Sequence, residues 1–379
     1  MRLIALLFIL FSFAAPLQAS VTKCEQQYCV AIVDVGSTGS RLHIYSYDLD
    51  ATSSPVAITE RWSKKIKPGF ATIEANAGSV DAYLSTLFAG APDYSLPVYF
   101  YATAGMRLLP QPKQQQYYSL VQSWFKNRQD RQLIEAKTIT GSEEGLLGWL
   151  AVNYQLGNFT NTTNPTGVLD MGGASVQIVL PVTNPENINP RDLKQFQLYG
   201  RKITLFIHSF LGLGSTEVTH QYLDTPSCFS TDYPLPDGFG AQGDAYQCES
   251  EIASLMNAVH HVDTTVQPVI QANPVKQWYT LGGINDLAKN QPLNFAQQFT
   301  NQALLDEANS QICQQPWTIL STAYPSNEYL YSSCLSSAYY YALIVEGYGI
   351  SSQQQMNYLS DDKPGDWTLG VVLNQSVQL

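Results

Sequence analysis

Hydrophobic and polar positions along this chain follow a pattern that occurs twice. The apolar run Val30 to Val33 ends in Asp34, small residues from Gly36 to Ser40 turn the chain, and Arg41, His43 and Tyr45 then alternate with Leu42 and Ile44. A period of two on the far side of a glycine-rich break predicts strand, tight turn, strand. The pattern returns at Val168-Leu169-Asp170-Met171, followed by Gly172, Gly173, Ala174 and Ser175 and the alternating stretch Val176 to Val179. Two such hairpins, one in each half, predict two related lobes that face one another.

The rest of the chain fills in around them. Val56 to Ser63 reads as a third strand at the edge of a mixed sheet, Val80 to Ala89 as a short helix, and Leu96 to Ala102 as a buried strand running into Thr103-Ala104-Gly105-Met106-Arg107. A helix from Tyr117 to Arg128 and a strand from Gln132 to Ala136 follow. Thr140 and Glu143 have capping-box spacing, which gives Glu143 a structural task. Glu144 is left to face a cleft, where the helix N-terminus would hold it ionised. Gly157 to Thr166 is polar, carries sequons at Asn158 and Asn161, and reads as a surface link between lobes; Asn374 begins a third sequon. Ser254 to Gln271 has a helical pattern, and Val275 to Leu281 is a strand leading into Gly282-Gly283. Trp367 to Leu373 closes the chain as an apolar element returning to the first lobe. The expected organisation is a first lobe of residues 20–155 plus 352–379 and a second of 156–351, hinged near Gly157 and Ser351.

Chemistry enters with the two turns. Glycines and hydroxyl residues let successive backbone N–H groups point into one concavity, an anion nest suited to phosphate oxygens. A carboxylate at the mouth of such a nest repels phosphate unless a cation lies between, so Asp34 implies a divalent metal held through water. Thr103 would sit on phosphate or on attacking water, and Arg107 near the phosphates or the base. Gly282 and Gly283 suit the floor of a ribose and base site with Asn285 and Asp286 as polar readers, and Tyr329 belongs to an aromatic stretch that could stack on a purine. Hydrolysis of a terminal phosphoryl group needs in-line water, charge neutralisation and a water-orienting base, with no covalent nucleophile. No G-x-x-x-x-G-K-[ST], H-E-x-x-H or G-x-S-x-G motif offers a rival chemistry.

Composition narrows this further. The 379 residues, 45% of them hydrophobic, suffice for two domains with cores. A net charge of −11 leaves no basic stripe for a nucleic-acid polymer. Met1-Arg2, the apolar run to Ala15 and Leu17-Gln18-Ala19 read as a secretory signal over residues 1–19, with the mature chain starting near Ser20. After it, no apolar run approaches the roughly 18 to 20 residues needed to span a bilayer. The six cysteines form three sequence-local pairs, Cys24 with Cys29, Cys228 with Cys248 and Cys313 with Cys334, which is the economical pairing among several. The expectation is a secreted or periplasmic monomer.

Five stretches in order, D-V-G-S-T-G-S-R-L, Y-A-T-A-G-M-R-L, I-T-G-S-E-E-G-L-L-G-W, L-D-M-G-G-A-S-V-Q-I and the Gly282-Gly283 loop, resemble the apyrase motifs of the ecto-nucleotidase (nucleoside triphosphate diphosphohydrolase) family. The resemblance implies an α/β, actin-like (ASKHA) two-lobed fold, an RNase H-like mixed sheet in each lobe and an active site in the interlobe cleft. It also implies stepwise hydrolysis of nucleoside tri- and diphosphates such as ATP and ADP to the monophosphate, dependent on Ca²⁺ or Mg²⁺. By that likeness Glu144 would be the catalytic base, and Asp34 and Asp170 would hold the metal through water. Ser37, Thr38, Gly39 and His43 match the first phosphate loop, and Gly172, Gly173 and Ala174 the second. Thr103, Ser175 and Gln177 match residues that place the attacking water, and Arg107 matches the second-motif arginine, here assigned with Gly282, Gly283, Asp286 and Tyr329 to the base and ribose. Cell-surface members carry membrane spans at both ends and this chain shows neither, so it resembles the soluble secreted forms. Its last motif departs from the family pattern, with Ser336-Ser337-Ala338-Tyr339-Tyr340 the nearest match, and base preference is not set by it. The competing expectations are an exopolyphosphatase-like hydrolase, for which an acidic protein lacks a basic tunnel, and a nucleotide-binding module without turnover.

Overall fold

A computed structural model describes residues 27–92, 96–128, 131–159, 165–361, 363, 366–375 and 377. The signal segment 1–19, Cys24 and Asn161 lie outside the described residues. The first sheet holds β1 (Tyr28–Val35), β2 (Ser40–Leu49), β3 (Pro55–Ile66), β4 (Leu96–Ala102) and β5 (Arg131–Thr138) in the order β3-β2-β1-β4-β5. The second holds β6 (Gly167–Met171), β7 (Ser175–Pro181), β8 (Leu193–Leu198), β9 (Arg201–Leu211), β10 (Trp278–Gly282), β11 (Gln298–Thr300) and β12 (Gln355–Asn357) in the order β11-β12-β10-β6-β7-β9-β8. In each, an antiparallel hairpin with an Asp near the end of its first strand lies beside a parallel strand that comes later in the chain.

Register places the loops. The parallel pairing of β1 with β4 sets Val35 opposite Ala102, so the Thr103 amide donates to Val35 O at 3.1 Å and the third loop starts beside the first. Parallel β10 and β6 likewise set Leu281 opposite Asp170 and Gly282 opposite Met171. The carboxyl ends of parallel strands in both sheets therefore open onto one crevice, where ligands of open α/β sheets bind.

The helices in chain order are α1 (Ala77–Phe88), α2 (Ala104–Arg107), α3 (Gln111–Lys126), α4 (Gly141–Gln155), α5 (Ser215–Gln221), α6 (Ala245–His260), α7 (Val262–Ala272), α8 (Gly283–Lys289), α9 (Asn301–Ala308), α10 (Trp317–Ala323), α11 (Ser333–Tyr341) and α12 (Thr368–Asn374). Helix α4 is buried without interruption from Glu144 to Asn153, as a helix covered on every side must be. It lies with α12 between the sheets, in a core that joins Val30, Ile32 and Tyr45 of the first sheet to Val179, Leu205 and Ile207 of the second. A Cβ on Gly370 of α12 would fall 2.0 Å from Leu147 O of α4, so these helices meet backbone to backbone. Each sheet also has its own outer core: Phe70, Phe100 and Tyr117 in the first, Phe206, Phe229 and Tyr339 in the second.

The structure moves some expected boundaries. Gln355–Asn357, assigned from sequence to the first lobe, pairs with β10 and β11 of the second sheet, and the chain returns to the first only beyond it. The helix read over 254–271 begins earlier and is broken at His261, which adopts φ 52° and ψ 38°. Helix α3 begins at Gln111 because Pro110 and Pro112 start it despite its polar first turn. Asn158 does not present its amide as a surface sequon would: the residue is buried and its Nδ2 donates to Asn153 Oδ1 at 2.8 Å. Cys228 is bonded to Cys248 and Cys313 to Cys334. Among the described residues no helix is long and apolar enough to cross a membrane.

The crossing of α4 and α12 yields a test. Gly370→Ala should lower the thermal midpoint, with a cost of about 1 to 3 kcal/mol for forced overpacking. Gly78→Ala in α1, whose new Cβ would meet nothing nearer than Asn76 Oδ1 at 3.6 Å, should be neutral or stabilising. Equal midpoints for the two variants would contradict the tight crossing.

Candidate active site

Between the lobes lies a cleft of about 600 Å³. It is lined by both hairpin loops, including Asp34, Ser37, Thr38, Gly39, Asp170, Gly172, Gly173 and Ala174, and by Thr103, Glu144 and Ser175. Gly282, Gly283, Asp286 and Tyr329 line the same cleft, as does His43. The two loops touch. A Cβ on Gly173 would stand 2.6 Å from Ser37 Oγ, and one on Gly69 would stand 2.0 Å from Ser37 O, so only glycine allows this approach.

Glu144 sits at the start of α4 as the capping box requires: Thr140 Oγ1 accepts from Glu143 N at 3.1 Å, and Thr140 N donates to Glu143 Oε2 at 2.7 Å. Its neighbour is thus turned inward. Arg107 Nη2 donates to Glu144 Oε2 at 2.6 Å and to Ser175 Oγ at 2.9 Å. Gln177 Nε2 reaches the same Glu144 oxygen at 3.3 Å, Ser175 Oγ at 2.8 Å and Ser209 Oγ at 2.9 Å. Both donors converge on Oε2, and Oε1 has no partner among the described residues. Gln177 Oε1 is also buried without a partner. These are acceptors a bound water would satisfy.

Arg107, assigned from sequence to the base or ribose, has its Nη2 bonded to Glu144 and Ser175, which links the two lobes, while its Nε has no partner among the described residues. Burial raises the Glu144 pKa, and the Arg107 charge and hydrogen bond only partly oppose this. The helix N-terminus therefore does not by itself hold this carboxyl in its ordinary range.

His43 lies between two acids: its Nδ1 is 2.5 Å from Glu60 Oε1, and its Nε2, which makes no hydrogen bond of good geometry among the described residues, is 2.9 Å from Asp366 Oδ2. Burial alone would depress its pKa, but Asp366 and Glu60 outweigh it and raise the group to about 9. Asp366 is held well below the usual carboxylate range: burial raises it, and the His43 charge overcomes this. Asn285, expected as a polar reader, instead bonds Thr280 Oγ1 at 2.5 Å and Thr280 O at 2.7 Å.

The acidic residues fit a divalent cation. Burial and the nearby Asp366 push Asp34 up to about 7, and Asp170 is raised by burial and then by Glu144 and Asp34. Asp34 Oδ1 is shielded from solvent and has no partner. No cluster of three or more His, Cys, Asp or Glu side chains at direct ligand spacing occurs among the described residues. An all-oxygen pair of carboxylates facing two phosphate nests suits a hard cation that keeps its waters.

Two sheets of this topology closing on one carboxylate-lined cleft define the actin-like, two-lobed class of α/β proteins. Within it, the chain belongs to the GDA1/CD39 (nucleoside phosphatase) family, whose model matches residues 19–232 and 241–379. It is 28% identical to ectonucleoside triphosphate diphosphohydrolase 1 of Mus musculus, over 90% of this chain and 80% of that protein. Among solved structures, nucleoside triphosphate hydrolase from Neospora caninum superposes with a TM-score of 0.64 at 13% identity, covering 92% of each chain. The Aquifex aeolicus PPX-GPPA enzyme does so with 0.53 at 14% identity, covering 92% of this chain and 99% of its own. At these identities the two structures establish the shared fold.

Two outcomes follow from the charges. The raised His43 pKa means that this imidazolium stabilises the fold fully below its unfolded value of 6.5 and loses that contribution as pH rises through about 9. Arg41, Asp34 and Tyr45 also face the group, in addition to Glu60 and Asp366. Wild-type stability measured by denaturant unfolding should fall between those pH values by a few kcal/mol relative to His43→Gln, and parallel pH curves for the two proteins would refute the assignment. Arg107→Met removes the group that lowers Glu144, so the acidic limb of the activity profile should move to higher pH; an unmoved limb would mean that Arg107 does not tune this carboxylate.

Proposed function

We propose that this chain is an apyrase, which hydrolyses nucleoside tri- and diphosphates to the monophosphate and orthophosphate with a divalent cation, Ca²⁺ or Mg²⁺. The observation that carries the reading is Glu144, which lines the cleft beside both glycine-rich loops and has both of its donors on one oxygen. Membership of a nucleoside phosphatase family supports phosphoryl chemistry, and in this reading Glu144 would be its base.

The loop amides at Ser37 to Gly39 and Gly172 to Ala174 would cradle the phosphate chain. Ser175 and Gln177, hydrogen-bonded to Glu144 and Arg107, would fix the attacking water against Oε1, with Gln177 Oε1, which has no partner among the described residues, accepting a hydrogen bond from its second O–H. Thr103, buried beside Val35 O, would border the same space. Glu144 would take one proton as water adds in line to the terminal phosphorus, while the bridging P–O bond breaks and the shortened nucleotide leaves on the bridging oxygen. Burial raises the Glu144 pKa, which makes it a stronger base than an exposed glutamate, and the Arg107 charge and hydrogen bond oppose that shift. When bound through Asp34 and Asp170, the cation supplies neutralisation of the phosphate oxygens. Gly282 and Gly283 lie next to Asp170, and Asp286 and Tyr329 further along the cleft; they would receive the ribose and base. The disulfides in the second lobe support export to an oxidising compartment.

Phosphate release from ATP, ADP, AMP and inorganic polyphosphate, with Ca²⁺ or Mg²⁺ and with EDTA, tests the reading. ATP and ADP should be cleaved, AMP should not, and EDTA should abolish release. Glu144→Gln should lower kcat by about 10² to 10⁴-fold while leaving nucleotide affinity within a few-fold. Release from polyphosphate in preference to nucleotides would move the chain to the exopolyphosphatase class. Tight ATP binding without release would make it a binding module.

A further inference from the structure

Asp366 lines the cleft but belongs to neither phosphate loop, and the mechanism above does not use it. Its Oδ2 lies 2.9 Å from His43 Nε2 and 3.7 Å from Arg41 Nη1. Its Oδ1 accepts from Thr368 N at 2.9 Å and from the Thr368 hydroxyl, which in turn lies 2.7 Å from Tyr45 OH. One side of this carboxylate is therefore bound to β2, the strand that leaves the first phosphate loop, at a point where Arg41 is paired in register with Asp34. The other side caps the first turn of α12. That helix meets α4 backbone to backbone at Gly370 and Leu147, one turn after Glu144.

We propose that Asp366 is a positioning residue for the hydrolytic reaction: it fixes the first phosphate loop and the helix that carries Glu144 to one another. The link is directional. Apolar packing of α12 on α4 would hold the helices together without a buried charge, and burying ions is a costly way to add stability alone. A carboxylate whose one oxygen is ion-paired at 2.9 Å with the His43 ring, and whose other accepts from the amide and hydroxyl of Thr368, sets the distance between strand and helix, and the Thr368 bonds orient it. Displacements of a fraction of an ångström between phosphate and base are what such a link controls.

The inference rests on Glu144 being the base, and the test separates the two. Asp366→Asn keeps an acceptor for the Thr368 amide but loses the charge that holds His43 and Arg41. With ATP and Ca²⁺, and concentrations corrected to folded protein by near-ultraviolet circular dichroism, it should lower kcat about tenfold with KM changed by less than about twofold. Asp366→Glu should recover part of the loss, and His43→Gln combined with Asp366→Asn should be no slower than the slower single variant. Wild-type kcat in Asp366→Asn overturns the proposal. So does a loss that tracks the unfolded fraction, or a raised KM at constant kcat, which would make Asp366 a fold or binding residue. An active Glu144→Gln would defeat the base assignment itself. An inactive Glu144→Gln beside a normal Asp366→Asn would defeat only this inference.

Discussion

Three carboxylates, Asp34, Glu144 and Asp170, are crowded into one desolvated cleft, and everything around them is arranged to bear their mutual repulsion. Each is pushed upward by burial. Among the described residues, Glu144 alone of the three is ion-paired, through Arg107, while Arg41 and His43 act on Asp34 from further away. The two aspartates face glycine-rich loops that offer amides to anions and nothing to carboxylates, an arrangement that makes sense when a cation and a phosphate chain arrive together. Nearby, His43 absorbs the charge of Glu60 and Asp366, so that further acidic groups do not add to the load.

This electrostatic burden explains the architecture on either side. Strand pairing delivers the loops to one crevice, but pairing alone cannot set the separation of two sheets. That falls to α4 and α12, buried between them, and to glycines that let backbones meet. Helix α4 is thus buried without interruption from Glu144 to Asn153. A carboxylate needed in one orientation stands at the end of an element whose every side is packed.

Much of this could be read from residue order. The hairpins, the Leu96–Ala102 strand, the capping box and the exclusion of Glu143 from the cleft all follow from local patterns of period two and from cap spacing, and each holds in the structure. What the sequence concealed is long-range. Arg107 follows a strand and a small-residue loop, which reads as a ligand contact; its true neighbour, Glu144, is brought in by the register of β4 beside β5. His43 alternates outward on a strand like any cleft residue, and nothing local announces that Glu60 and Asp366 lie beside its two nitrogens. Asp366 sits in a polar stretch before an apolar helix and looks like an ordinary turn residue. Gln355–Asn357 is too short and too polar for periodicity to assign it to a sheet. The cap side of Asp366 had a faint signal, an acidic residue two positions before Thr368 at a helix start.

The contact of Ser37 with Gly173 has a mechanical meaning. These residues belong to different lobes, yet a Cβ on Gly173 would stand 2.6 Å from Ser37 Oγ. Rotation of one lobe against the other would strain that contact and would also part Lys67 from Glu328, which pair across the lobes. The core around α4 and α12 joins the same two sheets. Opening the cleft would thus have to be shared among a loop contact, a surface ion pair and a packed core.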